Sequence, residues 1–407
     1  MKLVKKDSQL FHKLLERNTS FKKKISKRVS KIVEDVRLRG DSALIEYTKK
    51  FDKVKLSSKN LKVTEEEINA SFQGLDSSLI LALKTAIENM FRFYKKQVPK
   101  RIKLKTEEGK KIEEFAIPLE RVGIYIPGAQ APLVSSVYMC AIPAIVAGVK
   151  QIVLASPPTF RGSINPYVLA TASLLKIKNI YKVGGAQAIA SLAFGTETIP
   201  KVDKIVGPGN EYVTEAKRQV FGIVDIDMLA GPSELLIVAG RKANPEYIIK
   251  DLEAQIEHTS AIGIIITLSK TLAKQLRKVN IPRAYLIEAN NLEEAVDLVN
   301  KFSPEHLELM LKNWRSFVKK LRNAPAVFLG DYSPVALGDY IAGPSHVLPT
   351  GGTARFFSGL SVYDFLKRIH LISYSKKAFV KDSQALEKIA DLENMKKHIE
   401  SIKIRFK

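Results

Sequence analysis

The chain has 407 residues, 45% of them hydrophobic, and its 65 Lys and Arg against 42 Asp and Glu leave a formal charge of +23. That length and apolar content support a sizeable core and two to four domains at roughly 100–200 residues each, and exclude a disordered chain. The single Cys140 excludes an internal disulfide and any multi-cysteine zinc site.

The charge is uneven: residues 1–60 carry 18 basic and 7 acidic side chains, whereas residues 121–230 carry 10 and 6. Residues 1–20 lack the apolar core and cleavage site of a secretory signal, so a cytoplasmic address is expected. Lys22, Lys23, Lys24, Lys27 and Arg28 stand among Phe21, Ile25, Val29 and Ile32, which are spaced as one apolar helical stripe with the charges outside. A solvated helix surface is the simpler reading and a phosphate-binding patch the alternative. Nucleic acid is disfavoured, because no stacking aromatics alternate with these lysines. Helical patterning continues over 43–51 and 79–94.

From Arg121 the texture changes to short β-branched runs ended by Gly or Pro, at 122–126, 151–154, 180–183, 204–206 and 235–238. Helix-length segments at 135–149, 166–175 and 211–220 separate them, the pattern of a parallel sheet that binds ligands at its strands' carboxyl ends. The longest apolar stretch, 137–149, contains Pro143 and falls short of the ~18–20 residues that span a bilayer, so no membrane partner is expected. A second series follows, with strands at 262–268, 284–287 and 326–329. Asn244 as N-cap and Pro245 at the first helical position open a helix that runs to about His258. The segment from about residue 361 reads as helical and closes on Ile402, Ile404 and Phe406, alternating as a short strand.

The six histidines can be weighed singly. His12 suits a charged helix surface and His370 ordinary packing. Gln255 and His258 share a face three residues apart, either as a satisfied polar pair or as two ligands. Ser303-Pro304-Glu305-His306 reads as a helix start, with Ser303 as N-cap and Glu305 and His306 in the first turn. There the dipole would favour an ionised Glu305 and a neutral His306, a general base; the alternative is a dipole complement beside a packing residue. Asp339 and His346 lie in a Gly- and Pro-rich loop of the kind that holds polar groups at sites, although capping would explain Asp339 equally well. His398, five residues after Glu393, is unremarked by pattern alone. The turns Gly184-Gly185-Ala186-Gln187 and Gly207-Pro208-Gly209-Asn210 could admit a nucleotide, yet Tyr212 occupies the third-glycine place of the dinucleotide fingerprint.

Taken in order, the segments Arg121 to Gly128, Val183-Gly184-Gly185-Ala186-Gln187, Val206-Gly207-Pro208-Gly209-Asn210 and Gly231-Pro232-Ser233-Glu234 closely resemble the histidinol dehydrogenase family. So do Ala254-Gln255-Ile256-Glu257-His258, Ser303-Pro304-Glu305-His306-Leu307-Glu308 and the loop from Gly338 to Thr350. The likeness runs from about Val29, through Arg39-Gly40-Asp41 and Lys50-Phe51-Asp52, to His398. Ala129-Gln130 and Thr259-Ser260 depart from the usual pattern.

The resemblance implies NAD-dependent oxidation of L-histidinol to L-histidine through L-histidinal, in a homodimer whose sites are shared between subunits. It implies one zinc ion per subunit, held by Gln255, His258, Asp339 and His398, and proton transfer by Glu305 and His306. Ser233, His346 and Glu393 match substrate-contacting positions, alongside the zinc ligands and His306. Tyr125, Gln187 and Asn210 match NAD-contacting positions. Cys140 is given no catalytic role, since its apolar setting suits a buried small residue. The expected fold is α/β, with two Rossmann-like parallel-sheet domains and small helical extensions at both termini. Its expected divisions are an N-terminal helical extension at 1–20, a discontinuous catalytic and metal-binding domain at 21–123 and 232–360, an NAD-contacting domain at 124–231, and a dimerisation segment at 361–407.

Overall fold

The computed structural model describes residues 1–17, 22–128, 131–258 and 260–406, so Phe21, Ala129, Gln130 and Thr259 lie outside the described residues. Two compact units are present, one formed by Met1–Gln97 with Leu119–Phe365, the other by Val98–Pro118 with Leu366–Lys407.

The first unit contains the two expected parallel sheets. In the five-stranded sheet the order is Asn179–Lys182, Gln151–Ser156, Arg121–Tyr125, Lys204–Val206, Asp225–Ile226. Counted along the chain this is 3-2-1-4-5, a doubly wound order that reverses between Arg121–Tyr125 and Lys204–Val206, where a crevice opens at the carboxyl ends. The six-stranded sheet runs Lys2–Leu3, Ala284–Glu288, Ile262–Thr267, Glu234–Ala239, His306–Met310, Ala326–Leu329. Its central strands are apolar on both faces: Leu236 and Val238 enter one core with Phe302 and Leu307, while Leu235 and Ile237 enter another with Leu252 and Leu272.

The boundaries differ from those expected. Helix Lys23–Arg39 buries Ile25, Val29, Ile32, Val33 and Val36 in the core beneath the five-stranded sheet, together with Ala43 and Leu44 of the next helix. Residues 23–51 and the strand Arg121–Tyr125 therefore pack with the 124–231 segment and not with 232–360. An apolar stripe shows that a helix buries one face; which surface covers it is decided by long-range packing. The N-terminal extension is only partly helical, since Lys2–Leu3 adds an edge strand beside Ala284–Glu288 before helix Gln9–Leu15.

In the second unit, Leu366–Ser373, Lys111–Pro118 and Ile102–Lys105 form an antiparallel sheet, followed by helices Lys376–Leu392 and Lys396–Lys403. The C-terminal strand expected at Ile402, Ile404 and Phe406 is instead a helix end and a tight turn. Ile402 and Phe406 are spaced four apart, which suits a helix as well as the alternation suits a strand, and the Phe406 ring packs on Phe379 at 5.3 Å. His370 is exposed on the strand and faces Glu114 at 2.8 Å. Among the described residues no helix is long and apolar enough to cross a membrane.

Glu308, on the strand His306–Met310, is buried between its Val335 N–H donor at 2.9 Å and the neighbouring Asp251. Burial, and then the charge of Asp251, push its carboxyl far above the ordinary 4.5. A carboxyl raised in the folded state favours folding below its unfolded pKa, and that advantage disappears as pH rises through the folded pKa. Glu308→Gln is therefore expected to flatten this pH dependence and to stabilise the protein at alkaline pH by about 1–3 kcal/mol. Denaturant titrations of both proteins at pH 5 and pH 9 would check it; equal pH dependence in the two would contradict it.

Candidate functional site

Helix Leu292–Phe302, capped by Asn291, ends where Ser303 adopts φ 47° and its N–H donates to Val299 O at 2.8 Å. His306 then begins a strand, pairing with Leu235 and Ala326. The helix start expected at Ser303 is thus corrected: Glu305 and His306 sit after a helix, at the entry of a central strand. The alternation of Leu307 and Leu309 with His306 and Glu308 is a strand period, and Pro304 disfavours helical backbone at Ser303.

The dipole argument for a neutral His306 fails with it. What surrounds the pair is built from Glu234 at the start of the adjacent strand. The Glu234 N–H donates to Glu305 Oε2 at 2.7 Å, and its carbonyl faces His306 Nδ1 at 3.1 Å. A carbonyl only accepts, so Nδ1 carries the proton and Nε2 is presented to Asp339 Oδ1 at 3.6 Å. Glu305 Oε2 lies 3.6 Å from His306 Nδ1. Burial pushes Glu305 up to about 7, only partly opposed by His306. Burial alone would lower His306, yet the charge of Glu305 and the bond to Asp339 outweigh it and raise it to about 9. These carboxylates are also the groups that a cation or a substrate ammonium would engage.

Glu234 is itself clamped. Arg17 reaches its two carboxylate oxygens at 2.7 and 2.8 Å, donates to Phe302 O at 2.7 Å, and the Gly351 N–H adds a bond at 3.0 Å. The sequence singled out the motif Gly231-Pro232-Ser233-Glu234 but gave no sign of Arg17, which lies 217 positions away.

Asp339, at the end of helix Val335–Tyr340, is held below the ordinary carboxylate range: burial opposes this, but the bond to His306 and the charges of His306, His346 and His258 prevail. His346 Nδ1 donates to the Asp339 carbonyl at 3.0 Å, and burial lowers its pKa. His306, Asp339 and His346 line a cavity of about 930 Å³, walled by Tyr94, Phe328 and Phe357 among others. Helix Pro245–Ile256 starts as expected, with Asn244 accepting from the Glu246 N–H at 2.9 Å. It packs against the helix carrying Asp339. Ile248 and Leu252 are buried, as is Gln255, whose Nε2 has no hydrogen-bond partner among the described residues. His258 is exposed just beyond the helix, and Ser233 is half-buried beside Glu234. Among the described residues, no group of three or more His, Cys, Asp or Glu side chains is placed to hold a metal ion. Gln255, His258 and Asp339 include only two such residues, but an amide oxygen, an imidazole and a carboxylate make an N/O donor set that suits a borderline divalent ion. Glu393 and His398 belong to the second unit, Glu393 at the C-terminus of helix Lys376–Leu392 and His398 in Lys396–Lys403.

Tyr125, Gln187 and Asn210 line one pocket of about 370 Å³ at the reversal point of the five-stranded sheet, with Gly128, Gly185 and Tyr212. The Gly185 N–H donates to the Tyr125 hydroxyl at 3.0 Å. Asn210 Oδ1 caps helix Glu211–Val220, accepting from Tyr212 and Val213 N–H groups, which leaves its amide N–H₂ for a ligand. Gly207 adopts φ +119°, and a Cβ there would lie 2.1 Å from the Tyr125 carbonyl oxygen, so only glycine lets the loop approach this strand. Behind the loop, Lys217 and Asp227 form a buried ion pair at 2.7 Å that bonds both the Gly207 carbonyl and its N–H. Cys140 is fully buried and burial pushes its thiol up, which suits a packing residue.

The sequence profile of the histidinol dehydrogenase family matches residues 15–406 of this chain. Histidinol dehydrogenase of Clostridium acetobutylicum is 46% identical, over 98% of this chain and 96% of that protein. That of Carboxydothermus hydrogenoformans is 45% identical, over 100% and 99%. The crystal structure of histidinol dehydrogenase from Elizabethkingia anophelis superposes with a TM-score of 0.94 at 38% identity, covering 100% of this chain and 98% of that one.

Proposed function

The chain belongs to the histidinol dehydrogenase family and is an NAD-linked oxidoreductase, and we propose that it oxidises L-histidinol to L-histidine through L-histidinal, the end of histidine biosynthesis. The observation that carries this reading is the joined cluster of Glu305, His306 and Asp339, of which His306 and Asp339 line the cavity and Glu305 lies behind His306, with one histidine tautomer set by the Glu234 carbonyl. In its neutral form, populated as pH approaches and passes the raised value of about 9, His306 takes the alcohol proton at Nε2 as a hydride leaves the alcohol carbon. Glu305, bonded through Oε2 to the Glu234 N–H, accepts a proton from water as the water oxygen adds to the aldehyde carbon. Once relieved of its first proton, His306 takes the hydrate's hydroxyl proton while the second hydride departs. Such general-base assistance contributes ~10²–10⁴-fold.

Tyr125, Gln187 and Asn210 would hold NAD, a fresh molecule for each step, as the hydride acceptor. Gln255, His258 and Asp339, with His398 from the second unit, would hold one zinc ion per subunit, whose charge would orient the substrate's nitrogens. Ser233, His346 and Glu393 position the rest of the substrate. In this reading the protein is a homodimer in which Glu393 and His398 are supplied across the subunit boundary, and it works in the cytoplasm.

The purified protein is expected to form two NADH per L-histidinol, to lose turnover on chelation and to regain it with zinc. An amino alcohol without an imidazole should turn over poorly. One NADH per histidinol with aldehyde as the end product, or indifference to the imidazole, would overturn the reading.

A further inference from the structure

Arg17 has no part in the chemistry above, and it is not among the residues that line the cavity of His306 and Asp339. It lies two positions beyond helix Gln9–Leu15 of the N-terminal arm. Its side chain is 9% exposed and that of its partner Glu234 5%. A charge buried this far is costly unless it is paired and hydrogen-bonded, and this one is both. Nε and Nη2 fork onto the two Glu234 oxygens, Nη2 also donates to Phe302 O at 2.7 Å, and Nη1 donates to Leu14 O at 2.9 Å.

These acceptors sit on two sides of Glu305 and His306. Phe302 is the last residue of helix Leu292–Phe302, so its carbonyl has no partner within the helix, and the chain runs from it through Ser303 and Pro304 into the pair. Glu234 stands on the neighbouring strand, where its N–H and its carbonyl hold Glu305 Oε2 and His306 Nδ1. The Glu234 carboxylate also accepts from the Gly351 N–H, directly after the loop from Gly338 to Thr350 that carries Asp339 and His346. One planar guanidinium therefore fastens the turn that leads into the pair to the strand edge that holds both of its side chains.

We propose that Arg17 is a positioning residue for the proton transfers: by locking Phe302 and Glu234 to each other, the N-terminal arm sets the alignment of Glu305 and His306. The inference rests on the reading of Glu305 and His306 as the proton-transfer pair. Misplacing reacting groups by about 1 Å can cost on the order of 10²-fold in rate. Loss of the fork therefore lowers turnover without weakening the binding of substrate or coenzyme.

The test compares the zinc-loaded full-length protein with Arg17→Lys, Arg17→Met and Arg17→Met/Glu234→Gln. Its readouts are kcat and KM for L-histidinol, NADH affinity by fluorescence, and thermal melting, with rates measured below every melting temperature. Arg17→Met is expected to lose about 10²-fold in kcat, with KM and NADH affinity within about threefold of the original. Lysine keeps the charge but not the planar fork, so Arg17→Lys should match the original more closely in melting than in kcat, which falls about tenfold. The double variant removes the carboxylate that Arg17→Met leaves without a counter-charge and keeps the Glu234 backbone groups. It should melt closer to the original than Arg17→Met does, yet remain at least about tenfold slow. Phe11→Ala strips packing against the Phe302 ring from the same arm, and should melt lower with kcat within about threefold of the original. A folded double variant or a folded Arg17→Lys with kcat within about twofold of the original overturns the proposal. So does a Phe11→Ala enzyme as slow as the double variant, which would make stability of the arm the whole effect. If the unaltered protein does not oxidise L-histidinol, or if His306→Asn turns over at the original rate, it is the reading of the proton-transfer pair that fails.

Discussion

Replacing His306 with asparagine is expected to lower turnover of L-histidinol by about 10²–10⁴-fold while leaving the fold intact. Asparagine can still donate to the Glu234 carbonyl that His306 Nδ1 faces at 3.1 Å. It has no basic nitrogen where Nε2 faces the cavity and Asp339, so the alcohol proton has no acceptor. The companion Glu305→Gln keeps an oxygen for the Glu234 N–H, now 2.7 Å from Oε2, but cannot take a proton from water. Single-turnover measurements should then separate the two variants. Glu305→Gln retains the first hydride transfer from histidinol and slows the oxidation of supplied histidinal, whereas His306→Asn slows both. A His306→Asn enzyme within about fivefold of the original, or a Glu305→Gln enzyme equally slowed in both steps, would contradict the assigned roles.

A comparably large effect is expected away from the reacting atoms. Lys217 and Asp227 have side chains only 4% and 1% exposed. Asp227 accepts from Lys217 Nζ at 2.7 Å, from the Gly207 N–H at 2.8 Å and from the Met228 N–H at 2.6 Å. Lys217→Met fills similar space but leaves a buried carboxylate without its counter-charge, which typically costs about 3–5 kcal/mol. Because both partners also bond Gly207, the loop that forms one wall of the pocket proposed for NAD should loosen with it, and NADH should bind more weakly even where the protein remains folded. Denaturant unfolding and NADH titration on the same variant test both effects. Adding Asp227→Leu to Lys217→Met should recover part of the stability but not the affinity, since the carboxylate that holds the Gly207 N–H is then absent. A loss below about 1 kcal/mol for Lys217→Met would show that Asp227 is satisfied by its backbone donors alone.

The residues themselves determined much of this protein. Short β-branched runs ending in glycine turns marked the strands of both parallel sheets, and Asn244-Pro245 marked a helix start that is present. The ordered motifs implied a family, to which the chain belongs. The motif Ser303-Pro304-Glu305-His306 drew attention to two chemically capable residues, although through a helix start that does not form. The local signals of a helix N-terminus, a serine followed by proline, also suit a chain leaving one helix and entering a strand. The choice between them was made by pairing with Glu234–Ala239, far away in sequence.

Tertiary structure alone decided what surrounds those residues. Arg17 clamps Glu234 across 217 positions, helix Lys23–Arg39 covers the five-stranded sheet, and Tyr125, Gln187 and Asn210 come together because the strand order reverses between two neighbours. The physical reason is common to all three. Periodicity, capping and turn chemistry act over a few residues and say which face or end of an element is committed. The partner that satisfies it, a buried guanidinium or a facing sheet, is selected by the packing of the whole chain.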